Sequence, residues 1–284
     1  MPLRHAALPG HDAGTQAVNP VAAVDVSTVD ACDSTNGVLM ARARAGSIAR
    51  PTILRTRAQT AGRGRLGRVW HMDPAASLAL SIAWPLRRAP DALSLCVGAA
   101  LADELEPDPG DRPRIGLKWP NDLWLDGPRK LAGILVEAVP GVAVVGIGLN
   151  VRPLAVPAGA GPVAVLAELD PAATPDSVFD ALWPRLVAAL GSFDAHGFAA
   201  GFEARFSARD ALRGTPVRAT VAGGSVDGRA DGVDPDGALR LRVRTLDRVG
   251  DRVVRVTSGE IVTVRPTPAL APLPSHSPAE SAAC

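Results

Sequence analysis

The chain of 284 residues has no tyrosine, and five phenylalanines and five tryptophans bring its aromatic content to only 4%. Proteins that bind single-stranded nucleic acid lay bases on aromatic side chains set among basic ones. Neither that alternation nor a basic excess is present: 30 basic residues face 29 acidic ones, for a formal net charge of +1. A nucleic-acid-binding module using an Arg-Gly loop is therefore disfavoured, and a steep salt dependence of DNA affinity is what would revive it. The three cysteines, Cys32, Cys96 and Cys284, have neither metal-ligand nor disulfide-framework spacing, which fits a reducing cytoplasm. No signal peptide or membrane helix stands out. The best membrane candidate, residues 131–149, carries Glu137 and Pro140 and reads as two buried strands joined at Val139-Pro140-Gly141.

Lysine is scarce too, though basic residues in general are not. Lys118 and Lys130 are the only two among the 30 basic residues, and the chain has just four Asn and two Gln. A bias of this strength singles out the positions that escape it, because a lysine is a compact, titratable point charge that arginine cannot replace.

What the sequence does have is Gly62-Arg63-Gly64-Arg65-Leu66-Gly67-Arg68-Val69-Trp70, three glycines and three arginines before one large aromatic. Glycine lets backbone lie against a ligand, and the arginines suit an anion, so the run predicts a loop that closes over something negatively charged. It also satisfies G-x-G-x-x-G, but a dinucleotide turn must pass directly into a helix, and Pro74 stands in the first turns of any such helix.

An ordered chain is expected from about Val24, with Asp33-Ser34-Thr35-Asn36 capping a helix of about ten residues that ends near Gly46. Capping alone would explain Ser34 and Thr35, although it also leaves hydroxyls and free N–H groups at the helix start. Strands are predicted over residues 52–57 and 77–84, with Gln59 between the first of them and the loop, and a helix over residues 90–105 capped near Asp91. Short strands flank Pro120-Asn121-Asp122, a hairpin that can bring Lys118 and Lys130 together with Asp122 between them. In Gly146-Ile147-Gly148-Leu149-Asn150 the alternating glycines weaken a strand unless something approaches its backbone. Thr174-Pro175 opens a helix running to about Phe193, and a shorter one follows over residues 197–206. From about Leu212, five valine-rich strands with turns at Gly223-Gly224, Asp234-Pro235-Asp236-Gly237 and Ser258-Gly259-Glu260 suit a small barrel without a catalytic constellation of its own.

Together, the Asp33 to Asn36 cap, Gln59 with the glycine-arginine loop, Lys118-Trp119-Pro120-Asn121-Asp122, Lys130-Leu131-Ala132-Gly133-Ile134-Leu135-Val136-Glu137 and the Gly146 to Asn150 strand resemble the biotin protein ligase family. The resemblance covers residues 30 to 150 and rests on five motifs in order. It implies an α+β fold: a mixed sheet with helices on one side, like the core of class II aminoacyl-tRNA synthetases, followed by an SH3-like barrel. The expected organisation is a disordered lead over 1–23, a catalytic domain over 24–209, the barrel over 210–265 and a disordered tail over 266–284.

The implied activity is two-step: biotin and ATP give biotinoyl-5′-AMP, and a lysine of a biotin carboxyl carrier domain, of acetyl-CoA, acyl-CoA or pyruvate carboxylase, takes the biotinoyl group. The cofactors implied are ATP and Mg²⁺ with biotin as substrate. Carried over by position, Ser34, Thr35, Gln59, Gly62, Arg63, Gly133 and Gly146 hold biotin. Arg65 and Lys130 hold its carboxylate and the phosphates, and Arg68, Trp70, Asn121 and Asn150 serve the adenylate. Asp122 orients or deprotonates the acceptor amine, or helps to hold the metal. A cytoplasmic monomer or homodimer is expected, with no DNA-binding or repressor role because residues before 24 leave no room for a winged helix-turn-helix. A lipoate ligase, which shares the fold and the adenylation chemistry, is the nearest rival, with the loop and Gln59 favouring biotin.

Overall fold

The structure, a computed structural model, describes residues 24–157, 161–221, 224–244 and 251–263. The expected lead over 1–23, the tail over 266–284 and Gly223 of one expected turn lie outside the described residues.

Seven strands form the first sheet: β1 (Asp25–Cys32), β2 (Thr52–Gln59), β3 (Ser77–Pro85), β4 (Ile115–Lys118), β5 (Asp122–Leu125), β6 (Lys130–Val139) and β7 (Val142–Asn150). Their order is β1-β2-β3-β7-β6-β5-β4, with β1 and β2 parallel and every other pair antiparallel. The central strands are apolar on both faces, as full burial requires. On β2, β3 and β7, Ile53, Ile82 and Val145 point into the main core while their neighbours Leu54, Ala83 and Val144 point into a second, smaller one. Burying each of the Ile, Leu and Val side chains among these stabilises the fold by about 1.5–3 kcal/mol.

Both faces therefore need cover, and this corrects the expectation of helices on one side. Helix α1 (Thr35–Arg44) lays Leu39, Met40 and Ala43 on the Leu54/Ala83/Val144 face, whereas α2 (Leu93–Leu105), α3 (Pro175–His196) and α4 (Phe202–Ala208) cover the other. Ser34 caps α1 as expected, its Oγ accepting from the Gly37 N–H at 3.3 Å. Thr174 caps α3 with Pro175 in its first turn. Helix α2 starts later than expected, after Ala92 at φ 61°, with no side-chain cap from Asp91 or a neighbour, and α4 is shorter than residues 197–206 suggested because positive φ at Gly197 and Gly201 delays its start.

The expected five strands of the C-terminal region are β8 (Pro216–Val221), β9 (Gly224–Val233), β10 (Leu239–Arg244), β11 (Asp251–Val256) and β12 (Glu260–Thr263), antiparallel in the order β11-β10-β9-β8-β12. Val217, Ala219, Leu239 and Leu241 belong to the same apolar cluster as the α2 side of the first sheet. Buried Trp119 donates its indole N–H to Gly237 O at 2.9 Å. That bond fixes the second sheet, and with it the Ser258 to Glu260 turn, near the end of the β4–β5 hairpin, which is where the chemistry gathers.

Candidate active site

Helix α1 is only ten residues long and covers only part of its face of the sheet. On β7 the residues of that face are Val144, under the helix, then Gly146 and Gly148. A Cβ at Gly146 would stand 2.6 Å from Asn36 Oδ1, and one at Gly148 would overlap the Trp70 indole. Asn36 and Trp70 are thus the approaching groups that the alternating glycines called for. Between them lies a cleft whose empty space, counted out into the open solvent at its mouth, is about 920 Å³.

Its polar floor is a chain of hydrogen bonds. Asn36 Nδ2 donates to Glu137 Oε2 at 2.7 Å, Ser81 Oγ donates to Asn36 Oδ1 at 2.9 Å, and Thr35 Oγ1 lies 2.7 Å from Ser81 Oγ. Gln59 Oε1 accepts from the Thr35 N–H at 2.9 Å and lies 3.2 Å from its hydroxyl. Ser34, Thr35, Gln59, Arg63 and Gly146 line this end, whereas Gly133 lines the cleft beside Lys130 and Trp70. Gly62 is not a lining residue; it is buried behind the wall, where a side chain would strike the Trp70 carbonyl.

The opposite end is cationic. The β4–β5 hairpin sets Lys118 opposite Asp122, and Lys130 Nζ sits 2.8 Å from Asp122 Oδ1 and 5.9 Å from the centre of the Trp70 ring. The two lysines therefore converge with Asp122 between them, as the spacing predicted. The angle of the Lys130 contact falls outside hydrogen-bond geometry, so Asp122 Oδ1 is buried beside a charge but without a donor, and Trp70 Nε1 is buried without an acceptor. Burial pushes the Lys118 ammonium below its usual range, with Asp122 opposing the shift and Lys130 adding to it. Burial likewise lowers Arg65, against the pull of Asp122 and Glu260.

The glycine-arginine loop folds back on itself, Gly64 N–H to Arg68 O at 2.7 Å and Trp70 N–H to Gly62 O at 2.9 Å, and no helix follows it, which removes a dinucleotide-type turn. Each arginine already has a partner. Arg63 Nη2 is 3.9 Å from Glu137 Oε2, and Arg65 donates to Asn121 Oδ1 at 3.3 Å and to Gly259 O at 3.2 Å. Arg68 pairs with Glu260, whose carboxyl it holds below the usual range.

Asn121, which lines the cleft, and Asn150, both expected at the adenylate, each hold a neighbouring group. Asn121 donates to Ile134 O at 2.9 Å while receiving Arg65, so it ties the hairpin to β6 and aims the arginine. Asn150 is buried and donates to Lys130 O at 3.1 Å and Ala164 O at 3.3 Å, which holds the backbone of the lysine without lining the cleft. Sequence reasoning missed Asn36, Ser81, Glu137, Gly259 and Glu260 as site residues. For Glu137 a signal existed, an acid inside an otherwise apolar run. Among the described residues no group of three or more His, Cys, Asp or Glu could hold a metal ion, and no helix is long and apolar enough to cross a membrane.

The comparisons with known proteins converge on one family. Residues 29–153 match the model of the biotin/lipoate A/B protein ligase family. The biotin–[acetyl-CoA-carboxylase] ligase of Paracoccus denitrificans is 37% identical over 66% of this chain and 82% of its own length, and that of Mycobacterium tuberculosis is 36% identical over 82% of this chain and 86% of its own. The fold is similar to the Aquifex aeolicus biotin protein ligase in complex with biotin and ATP, with a TM-score of 0.69 and 25% identity, over 85% of this chain and 99% of that one. With relatives 36–37% identical over more than four fifths of their own length, and a model match over residues 29–153 that takes in much of the cleft, the chain belongs to the biotin/lipoate A/B protein ligase family.

Proposed function

We infer that the protein is a biotin protein ligase, which activates biotin with ATP and transfers it to a lysine of the carrier domain of acetyl-CoA carboxylase. The observation that carries the reading is the cleft in which a hydrogen-bonding floor, Trp70 and the Arg65/Lys130 end face one another. A carboxylate oxygen of biotin attacks the α-phosphorus of ATP, the bond to the β-phosphate breaks, and pyrophosphate leaves. The acceptor amine then attacks the acyl carbon, AMP leaves, and the amine gives up a proton.

Ser34, Thr35, Gln59, Arg63 and the Gly133 backbone take the urea and valeryl parts of biotin. Arg65 and Lys130 stabilise the charge that develops as two anions meet, the largest single contribution such a site can make. Trp70 offers a face to the adenine, and Arg68 serves the phosphates once Glu260 releases it. Asn121 and Asn150 act at one remove, by holding Arg65 and the backbone of Lys130. Mg²⁺ bound with ATP would neutralise charge on the phosphates, and Asp122, beside Lys130 at the cationic end, is a carboxylate that would help to hold it. Asp122 also orients the incoming amine. The first sheet with its helices is the synthetase-like core, the second is the SH3-like cap, and the protein works in the cytoplasm as a monomer or homodimer on carriers that include pyruvate carboxylase.

The test is exchange of labelled pyrophosphate into ATP by the purified chain with Mg²⁺ and no carrier present, biotin and lipoate run side by side. Exchange that requires biotin is expected. Exchange with lipoate alone would move the protein to the other branch of its family, and silence with both would overturn the reading.

A further inference from the structure

The chain of hydrogen bonds beneath the cleft has a direction, and proton accounting fixes it. An ionised carboxylate only accepts, so Asn36 must turn its NH₂ towards Glu137 and its Oδ1 the other way. Ser81 therefore gives its one hydroxyl proton to Asn36 Oδ1 at 2.9 Å. The 2.7 Å contact between Ser81 and Thr35 then takes the Thr35 proton, which leaves none for Gln59 Oε1 at 3.2 Å. Gln59 Oε1 is bonded to the Thr35 N–H and keeps its second lone pair. Ser34 Oγ accepts from the Gly37 N–H, so its own proton stays free. All three side chains Thr35, Asn36 and Ser81 are buried, and Gly146 is what leaves room for the Asn36 oxygen.

The floor consequently shows the ligand two kinds of group. Thr35 Oγ1 and Gln59 Oε1 offer only lone pairs, the Arg63 guanidinium offers only donors, and the Ser34 hydroxyl still has its proton to give. A urea matches this, with N–H groups for the lone pairs and C=O for the donors. We propose that Glu137 and Asn36 are positioning residues that set the polarity of this relay and so make the site selective for the urea of biotin, acting through Ser81 and Thr35 without touching the ligand. The inference rests on the biotin ligase reading and adds to it the source of its selectivity. Glu137 has a second hold on the same end, through Arg63 at 3.9 Å.

The variant Glu137→Gln tests it, because a carboxamide can meet Asn36 with either its oxygen or its NH₂, so the relay loses its fixed direction with little change of shape. Asn36→Asp/Glu137→Gln restores the direction: the new carboxamide at position 137 would donate, and both oxygens of the new carboxylate at position 36 can only accept, one of them from Ser81. Pyrophosphate exchange gives KM and kcat for biotin. The discriminating probe is a guanidine analogue of biotin, whose urea oxygen is replaced by NH and so donates where biotin accepts. Glu137→Gln should raise the biotin KM about 3- to 10-fold with kcat within about twofold, and narrow the preference for biotin over the guanidine analogue by a similar factor. The double variant should recover at least half of the lost preference on a logarithmic scale. An unchanged KM and preference in Glu137→Gln overturns the proposal, as does a double variant no better than the single one, and equal melting temperatures of the variants exclude a merely structural loss. Lack of any biotin-dependent exchange in the wild-type chain would instead sink the functional reading itself.

Discussion

Two charged clusters sit near the two ends of the β4–β5 hairpin, and the fold treats them in opposite ways. At the outer end, Arg209 is buried at the close of α4 and reaches Glu106 at the close of α2. It donates to Glu106 O at 2.9 Å and Ile115 O at 3.3 Å, pairs with the Glu106 carboxylate, and lies 3.3 Å from Asp103 Oδ1. Burial alone would push the Glu106 carboxyl up, but the N–H groups of Arg114 and Ile115 together with Arg209 outweigh it and bring it below the usual range. The charge there is stabilised by folding. In the cleft, burial lowers both Lys118 and Arg65, and neither Asp122 Oδ1 nor Trp70 Nε1 has a hydrogen-bond partner. The charge there is held at a cost. A buried polar network that is fully satisfied fixes a fold, whereas one with unspent donors and acceptors marks where another molecule completes it.

The strongest way to break this comparison is to remove one cation from each cluster. Lys130→Ala should lower biotin adenylation by about 10²–10³-fold, the range found for removal of one charge-stabilising donor. Its melting temperature should fall by no more than a few degrees, since the Lys130 side chain is 38% exposed and its pair with Asp122 lacks hydrogen-bond geometry. Arg209→Ala should do the reverse: a loss of about 3–5 kcal/mol, because it strands a buried carboxylate, with the specific activity of the folded fraction within about twofold of wild type. Denaturant melts and pyrophosphate exchange on both variants decide it. Equal destabilisation by the two substitutions would mean that the cleft cluster is structural after all.

A smaller effect separates the two carboxylates. Asp122→Asn should leave adenylation within about threefold and slow transfer to the carrier by about 10–100-fold, the usual scale of general acid–base assistance. Asp103→Asn, with a side chain 39% exposed beside Arg205 and Arg209, should cost about 1 kcal/mol of stability and no activity. Single-turnover transfer from preformed biotinoyl-AMP reads the first. If Asp122→Asn slows both half-reactions equally, its work is to hold Lys130 and not to meet the amine.

The cleft was legible in the sequence wherever its residues are close together along the chain. The hairpin around Pro120-Asn121-Asp122 and the run from Gly62 to Trp70 carry their chemistry in consecutive positions, and the Gly146/Gly148 alternation announced that something lies against β7. Ser81 and Glu260 were not legible, because nothing local distinguishes them. Ser81 faces the cleft only because β3 pairs with β7 so that it stands opposite Gly146. Glu260 reaches Arg68 only because the second sheet is pinned by Trp119 to Gly237. Asn150 stood out as a rare residue type in a motif strand, and in the structure its amide donates to two carbonyls. The mixed sheet was expected from the family resemblance, while the strand and turn signals gave its separate elements and the small second sheet. The side on which α1 packs was not legible, since that depends on which of two alternating apolar rows it covers.

The smallest effect tests the cost of charge in the cleft directly. Lys118 is lowered first by burial, so at high pH the unfolded chain keeps a proton there that the folded chain has lost. Stability must then rise as pH increases through the window between the folded value and the ordinary 10.5. Below that window the charged lysine is a constant burden on the fold. Lys118→Met keeps the length and apolar stem and removes the charge, so it should stabilise the protein by about 1 kcal/mol at neutral pH and abolish the Lys118 part of the alkaline rise, while lowering adenylation. Glu106→Gln in the outer cluster should show the opposite sign: a loss of stability at neutral pH, and a weaker decline in acid, because the wild-type carboxylate contributes fully above 4.5 and loses its contribution as pH falls through its lowered value. Denaturant melts from about pH 3 to about pH 10 on both variants measure the two slopes. Stability changes of the same sign at neutral pH would erase the distinction between charges kept for the fold and charges kept for a ligand.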